Sequence, residues 1–404
     1  MQYKITESIK NTSQGKRAEE ILSKCVHCGM CNATCPTYEL LGNELDGPRG
    51  RIYQIKQVLE GEQATRTMQH HMDRCLTCLN CETTCPSGVE YGKLAEIGKE
   101  LIEERVDRPF LQKVIRKALR QTLPFPSRFS LLLNTGRFFR PLLPSFLKSK
   151  IPVLHKPGIW PLAKHDRTML VLGGCVQPSM SPNINSAAAR VLDKLGISLQ
   201  LVSQSGCCGA VSLHLQAEKE AKEFMRANID AWWPYIVGGA EAIVVTASGC
   251  GIILKNYDEY LSDDPVYSDK ASKISELVKD VSEIIYDENL SKLINEKQKT
   301  KLAVHCPCSL QHGQKLPGLI EKILTEIGYK LVPVKDSHLC CGSAGTYSIL
   351  QKTISDTLRN NRIKALEEEH PEIIVTANIG CLHHLQAGTD RPVKHWIEVL
   401  DDDL

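Results

Sequence analysis

Hydrophobic positions along the chain change period partway. Ile52, Ile55, Val58 and Leu59 recur at helical spacing, as do Leu94, Ile97, Leu101 and Ile102. Each set predicts a helix with one apolar face. From residue 169 onward, short apolar runs alternate with helical faces. Residues 169–172, 199–202 and 242–246 read as buried strands. Between the first two, Ile184, Ala188, Val191, Leu192 and Leu195 form a helical face closed by Gly196. The same order returns at 302–304, at Ile320, Ile323, Leu324 and Ile327, at 331–334 and at 373–376. Strand–helix–strand alternation predicts parallel βαβ units. The stretch 129–144 separates the two regimes. It is apolar, aromatic and basic, and Gly136, Pro141 and Pro144 interrupt it.

At 404 residues the chain has room for two to four domains of roughly 100–200 residues each. Lys plus Arg number 49 against 47 Asp plus Glu, a balance that argues against a nucleic-acid partner. The 17 cysteines change the picture most. The first residues carry no apolar signal region, and no run of 18 apolar residues predicts a membrane span. A reducing, cytoplasmic setting is therefore expected. There, thiols serve as metal or cluster ligands rather than as disulfides.

Eight cysteines form two copies of C-x2-C-x2-C-x3-C-P: Cys25, Cys28, Cys31, Cys35-Pro36, and Cys75, Cys78, Cys81, Cys85-Pro86. This is the ligand run of bacterial two-cluster ferredoxins, in which the fourth cysteine serves the other cluster. By that rule Cys25, Cys28, Cys31 and Cys85 hold one [4Fe–4S] cluster, and Cys75, Cys78, Cys81 and Cys35 hold the second. Zinc knuckles are the poorer reading, because zinc sites favour two separated pairs. Small ferredoxins keep the runs closer than here. The helical insert resembles the ferredoxin domain of respiratory iron–sulfur subunits.

Eight more cysteines form two series. Cys175, Cys207 and Cys208 lie 133 residues before Cys308, Cys340 and Cys341, and Cys250 lies 131 before Cys381. A register held over a domain length is a duplication. Cys207-Cys208-Gly209 matches Cys340-Cys341-Gly342, and the cysteines follow strand ends, where open α/β sheets place their sites. Four thiols per repeat suffice for a cluster, so one or two further iron–sulfur clusters remain open. The fuller cysteine-rich motif ends Cys-x-x-Cys, and here Cys250 and Cys381 lack that last thiol.

Tandem ferredoxin runs followed by two Cys-Cys-Gly domains resemble a family of redox subunits. It includes the anaerobic glycerol-3-phosphate dehydrogenase small subunit and the heterodisulfide reductase cysteine-rich subunit. The similarity is greatest to the iron–sulfur subunit of bacterial glycolate oxidase. Segments 47–52, 123–129 and 307–312 carry this beside the cysteines. The resemblance implies a flavoprotein partner with FAD that oxidises glycolate to glyoxylate. This chain would then pass electrons to a quinone or another acceptor and carry no substrate-transforming residues. D-lactate, glycerol 3-phosphate and a disulfide-reducing activity are the alternatives.

The expected class is α/β: a mostly helical two-cluster ferredoxin domain, then two duplicated βαβ cysteine-rich domains. Expected boundaries are 1–108 for the ferredoxin domain, 109–165 for a linker and docking segment, and 166–262 for the first repeat. A connecting helical segment at 263–300 and the second repeat at 301–404 follow. Cys306 has no counterpart and reads as a small buried residue. His384 occupies a missing-cysteine position, but a hydrogen-bonded role for it and His383 is the better expectation. Arg49 and Arg51 lie between the ligand runs, where a cation would raise a cluster's potential. The basic, apolar stretch 129–147 could touch the cytoplasmic face of the inner membrane or dock on the partner.

Overall fold

A computed structural model describes residues 2–142, 156–294 and 300–404. The chain divides into two compact units. One comprises Met1–Ile115 with His338–Arg362, the other Arg116–Ser337 with Ile363–Leu404.

The first unit is helical in its N-terminal part. Ser13–Lys24, Pro48–Leu59 and Tyr91–Arg105 are its longer helices there. The expected apolar faces form the core: Ile55, Val58, Leu59 and Leu94 are fully buried, beside Ile21 and Leu22. Pro48 starts its helix at the first turn, where its missing N–H costs nothing. The helix Ser13–Lys24 was not among the expected elements, although Ala18, Ile21 and Leu22 are helically spaced; the Thr12 side chain caps it by accepting from Gly15 N–H at 3.0 Å. Gly98 lets two helices touch, since a Cβ there would lie 2.4 Å from Ile55.

The second unit holds two four-stranded parallel sheets. The strands are β1 Arg167–Val171, β2 Ile197–Leu201, β3 Ile243–Val245, β4 Val278–Asp280, β5 Lys301–His305, β6 Lys330–Leu331, β7 Ile373–Thr376 and β8 Val393–His395. Their orders are β2-β1-β3-β4 and β6-β5-β7-β8, so the duplication extends to topology. The expected run 331–334 is cut to β6, because Pro333 cannot donate to a ladder. Residues 263–300, expected as a helical connection, also contribute β4 to the first sheet.

Both sheets end alike, in a feature the periodicity did not show. β4 and β8 each run straight into a helix with a capping box, Asp280 with Glu283 and His395 with Glu398. Burial pushes the Asp280 carboxyl up to about 6 and the His395 imidazole down to about 4. The two shifts act oppositely on stability. Asp280 binds its proton more tightly when folded, so its contribution falls as pH rises from about 4 to 6. Folded His395 resists protonation, so its contribution rises with pH between about 4 and 6.5. The D280N variant keeps a cap and removes one arm. Its unfolding free energy should climb more steeply than the native protein's between pH 4 and 6.5 in urea titrations. Parallel slopes would contradict this assignment.

The helices Phe110–Thr122 and Pro126–Phe139 bury no residue. No helix among the described residues is long and apolar enough to cross a membrane.

Candidate iron–sulfur centres

The two ligand runs fold alike for a local reason. Each follows a helix that ends just before its first cysteine, Ser13–Lys24 before Cys25 and Arg66–Asp73 two residues before Cys75. Each then turns through two left-handed residues, His27 and Gly29 in one, Thr77 and Leu79 in the other. A left-handed conformation costs a non-glycine residue roughly 1–2 kcal/mol. The turns coil three thiols inward at that cost. Thr34 and Thr84 hydroxyls, at matching positions, lie 2.8 Å apart and tie the ends of the two runs together.

That tie brings each fourth cysteine to the opposite run. Cys25, Cys28, Cys31 and Cys85 line one cavity, of about 450 Å³ counting space open to solvent. Cys35, Cys75, Cys78 and Cys81 line another, of about 300 Å³. Cys81 also borders the first. Burial and then the neighbouring Cys25 push Cys31 up to about 11. Burial raises Cys25 and, further still, Cys81. Crowded buried thiols that resist ionisation are poor as free acids. A metal reverses this by binding the thiolates.

Cys75 differs. Burial works against its ionisation, but Arg51 offsets burial, aided by Lys99 and by donors from Tyr91 and Thr77, and the thiol falls to about 7. Tyr91 Oη and Thr77 N–H both donate to its sulfur at 3.4 Å. Arg51 is 1% exposed. It donates to His71 O at 3.0 Å and to Thr37 Oγ1 at 3.2 Å. Thr37 Oγ1 is 3.3 Å from Cys35 Sγ. Asp46, also buried, is 3.7 Å from Arg51, 2.8 Å from Arg74 and 2.9 Å from His71. Two arginines on one carboxylate leave surplus positive charge beside these thiols. Four neutral thiols have no need of it, whereas four thiolates around iron carry the matching negative charge. The donor set and its buried cation therefore fit a cubane cluster. Arg49 is different: half-exposed, it pairs with Glu44 at 2.6 Å.

In the first repeat, all four thiols join in a chain of contacts: Cys175 to Cys207, Cys207 to Cys208, and Cys208 to Cys250. The Cys207 contact, then burial, pushes Cys175 well up. Gly209 turns left-handed after the pair. Asn228 Nδ2 donates to Cys207 O at 2.8 Å, and Tyr257 Oη to Cys208 O at 3.0 Å. These could hold one more cluster.

The second repeat is split. Cys340 and Cys341 belong to the first unit, Cys308 and Cys381 to the second. His305, the buried last residue of β5, brings a ring nitrogen within 4.8 Å of Cys381 Sγ. Sequence reasoning passed over His305. A histidine ending an otherwise apolar strand, where the first copy has Leu172, was the available signal. Cys306 is buried, and burial pushes its thiol up. His383 is 3.0 Å from Ser181 Oγ, and His384 is half-buried on the helix Ile379–Gln386.

Comparison with known proteins matches this division. Residues 21–89 match the 4Fe-4S dicluster domain, and 169–255 and 302–386 match the cysteine-rich domain. The chain is thus an iron–sulfur protein of the ferredoxin plus tandem cysteine-rich class. It is 52% identical to the glycolate oxidase iron-sulfur subunit of Escherichia coli strain K12, over 100% of this chain and 99% of that protein. It is 28% identical to the probable glycolate oxidase iron-sulfur subunit of Bacillus subtilis strain 168, over 96% and 94%. Lactate utilization protein A of Geobacillus sp. strain WCH70 is 27% identical, over 56% of this chain and 96% of that protein. The chain belongs to the family of glycolate oxidase iron–sulfur subunits.

Proposed function

We propose that this chain is the electron-transfer subunit of a glycolate oxidase. A flavoprotein partner carrying FAD removes two electrons and two protons from glycolate to give glyoxylate. Electrons then leave singly toward a quinone or another acceptor. The observation that carries this reading is the exchange of fourth cysteines, Cys85 with Cys25, Cys28 and Cys31, and Cys35 with Cys75, Cys78 and Cys81. Clusters so held supply one-electron chemistry that flavin and quinone can share. The chain's own residues set the terms. Arg51 compensates charge, Tyr91 and Thr77 donate to a ligand sulfur, and the apolar core excludes water. The likeness to lactate utilization protein A supports a second reading, lactate as the partner's 2-hydroxy acid.

Anaerobic purification of the whole complex tests this. About eight irons per chain are expected from two cubanes, more if the repeats are loaded, with an equal count of acid-labile sulfide. Flavin should reside on the partner, and glycolate should reduce the clusters. Zinc without sulfide would reject the reading.

We place the complex on the cytoplasmic face of the inner membrane. The helix Pro126–Phe139 exposes Leu131, Leu132 and Phe138 beside Arg128 and Arg140, an apolar and basic surface suited to anionic lipid. Residues 143–147 of the expected contact lie outside the described residues. Replacing Leu131, Leu132 and Phe138 together by Asp should move the complex into the soluble fraction. An unchanged membrane fraction would point to docking on the partner instead.

A further inference from the structure

The two Cys-Cys-Gly turns are matched in sequence but held by different neighbours. In the first copy the turn is pinned from within its own unit, by Asn228 and Tyr257 on the carbonyls of Cys207 and Cys208. In the second copy the turn is pinned to a ferredoxin ligand run. Asn80, buried between Cys78 and Cys81, donates through Nδ2 to Thr34 O at 3.0 Å and to His338 O at 3.2 Å. His338 is two residues before Cys340. Tyr347, also buried, donates through Oη to Arg74 O at 3.0 Å, one residue before Cys75. Ser355 Oγ donates to Gly342 O at 2.7 Å and closes the turn from behind. The residue matching Tyr347 in the first copy, at the same 133-residue offset, is His214, and it is exposed.

We propose that Asn80 and Tyr347 are positioning residues that fasten the Cys340–Cys341 turn to the Cys75–Cys81 run. The Cys340–Cys341 turn is thereby the redox neighbour of the cluster on Cys35, Cys75, Cys78 and Cys81. This rests on the electron-transfer reading above and deepens it by naming the segment that receives the electron. The exchange is of one electron: that cluster is oxidised by one and an iron–sulfur group on the Cys340–Cys341 side is reduced by one. No bond forms or breaks and no proton moves. Both pins are hydrogen bonds to backbone carbonyls flanking ligand cysteines, so they set separation without touching a sulfur.

Electron paramagnetic resonance on the dithionite-reduced full chain tests the neighbour relation. The cluster at Cys75–Cys81 should relax faster than an isolated cubane. The part of that enhancement beyond what the cluster on Cys25, Cys28, Cys31 and Cys85 supplies should be lost in C340S/C341S and kept in C207S/C208S. Loss in the first-repeat variant alone, or in neither, overturns the proposal. Hydrogen exchange tests the pins and needs no loaded second repeat. Y347F should speed amide exchange in 338–350 about fivefold, the worth of one hydrogen bond. Y257F should leave that segment unchanged. Unchanged exchange in Y347F overturns the positioning role. Failure of the electron-transfer reading itself would show separately, as no reducible cubane signal in the native chain.

Discussion

Replacing Arg51 by Met is expected to lower the midpoint potential of one cluster by about 100 mV and leave the other nearly unchanged. Reduction adds negative charge to the cluster, so a neighbouring cation stabilises the reduced form, and its removal drives the potential down. A unit charge a side-chain length away, at an effective dielectric of about 20, is worth about 2–3 kcal/mol. For one electron, about 1.4 kcal/mol corresponds to 59 mV. Arg51 is fully buried and its charge acts on Cys75 and Cys35, so solvent screens little of this. The cluster proposed on Cys35, Cys75, Cys78 and Cys81 is the one that should move. The same change should destabilise the fold by about 3 kcal/mol, because Asp46 stays buried after losing one cation. Arg51→Lys separates the two effects. It keeps the charge and most of the potential, but cannot reach His71 O and Thr37 Oγ1 together. A redox titration followed by paramagnetic resonance, with urea unfolding of the same samples, reads both. Equal shifts in both clusters would mean that Arg51 acts through the fold rather than through its charge.

Replacing Cys78 by Ser is expected to abolish glycolate-dependent quinone reduction by the complex. The flavoprotein should still reduce an artificial dye. A serine oxygen is a harder, weaker partner for iron than thiolate, and three thiols in this run are needed to cover one cubane. Iron should drop by about four per chain, one cubane. Quinone reduction that survived with that cluster lost would take it off the electron path. Full iron retention would instead show that Cys78 is not a ligand.

Much of this chain was legible before its structure because ligand spacing and strand periodicity are local. The turn of a C-x2-C-x2-C run depends on a few backbone angles, and its cysteines announce it. The strands at 169–172 and 373–376 were plain because parallel strands, buried on both faces, are written as unbroken apolar runs. β4 and β8 were not, because Val278-Lys279-Asp280 and Val393-Lys394-His395 are three residues long and carry polar side chains. Their capping boxes, Asp280 with Glu283 and His395 with Glu398, were the better clue. The duplication offset, steady at 133 through the cysteine pairs, also falls to 115 between Asp280 and His395, which hid the match.

By itself the sequence determined the two ligand runs, the duplicated cysteine-rich repeats and the α/β class, because each is encoded by spacing within a short window. Arg51 could be named as a candidate cation, but nothing in its neighbours said that it would be buried beside Cys35 and Cys75 while Arg49 pairs with Glu44 near the surface. Burial and charge compensation depend on residues up to 28 positions apart, Asp46 and Arg74 among them, and only folding brings these together. The same holds for the repeats. Their sequences match, yet the tertiary structure gives one Cys-Cys-Gly turn to Asn228 and Tyr257 and the other to Asn80 and Arg74. A duplication copies sequence but not surroundings, and hydrogen bonds between distant segments are set by surroundings.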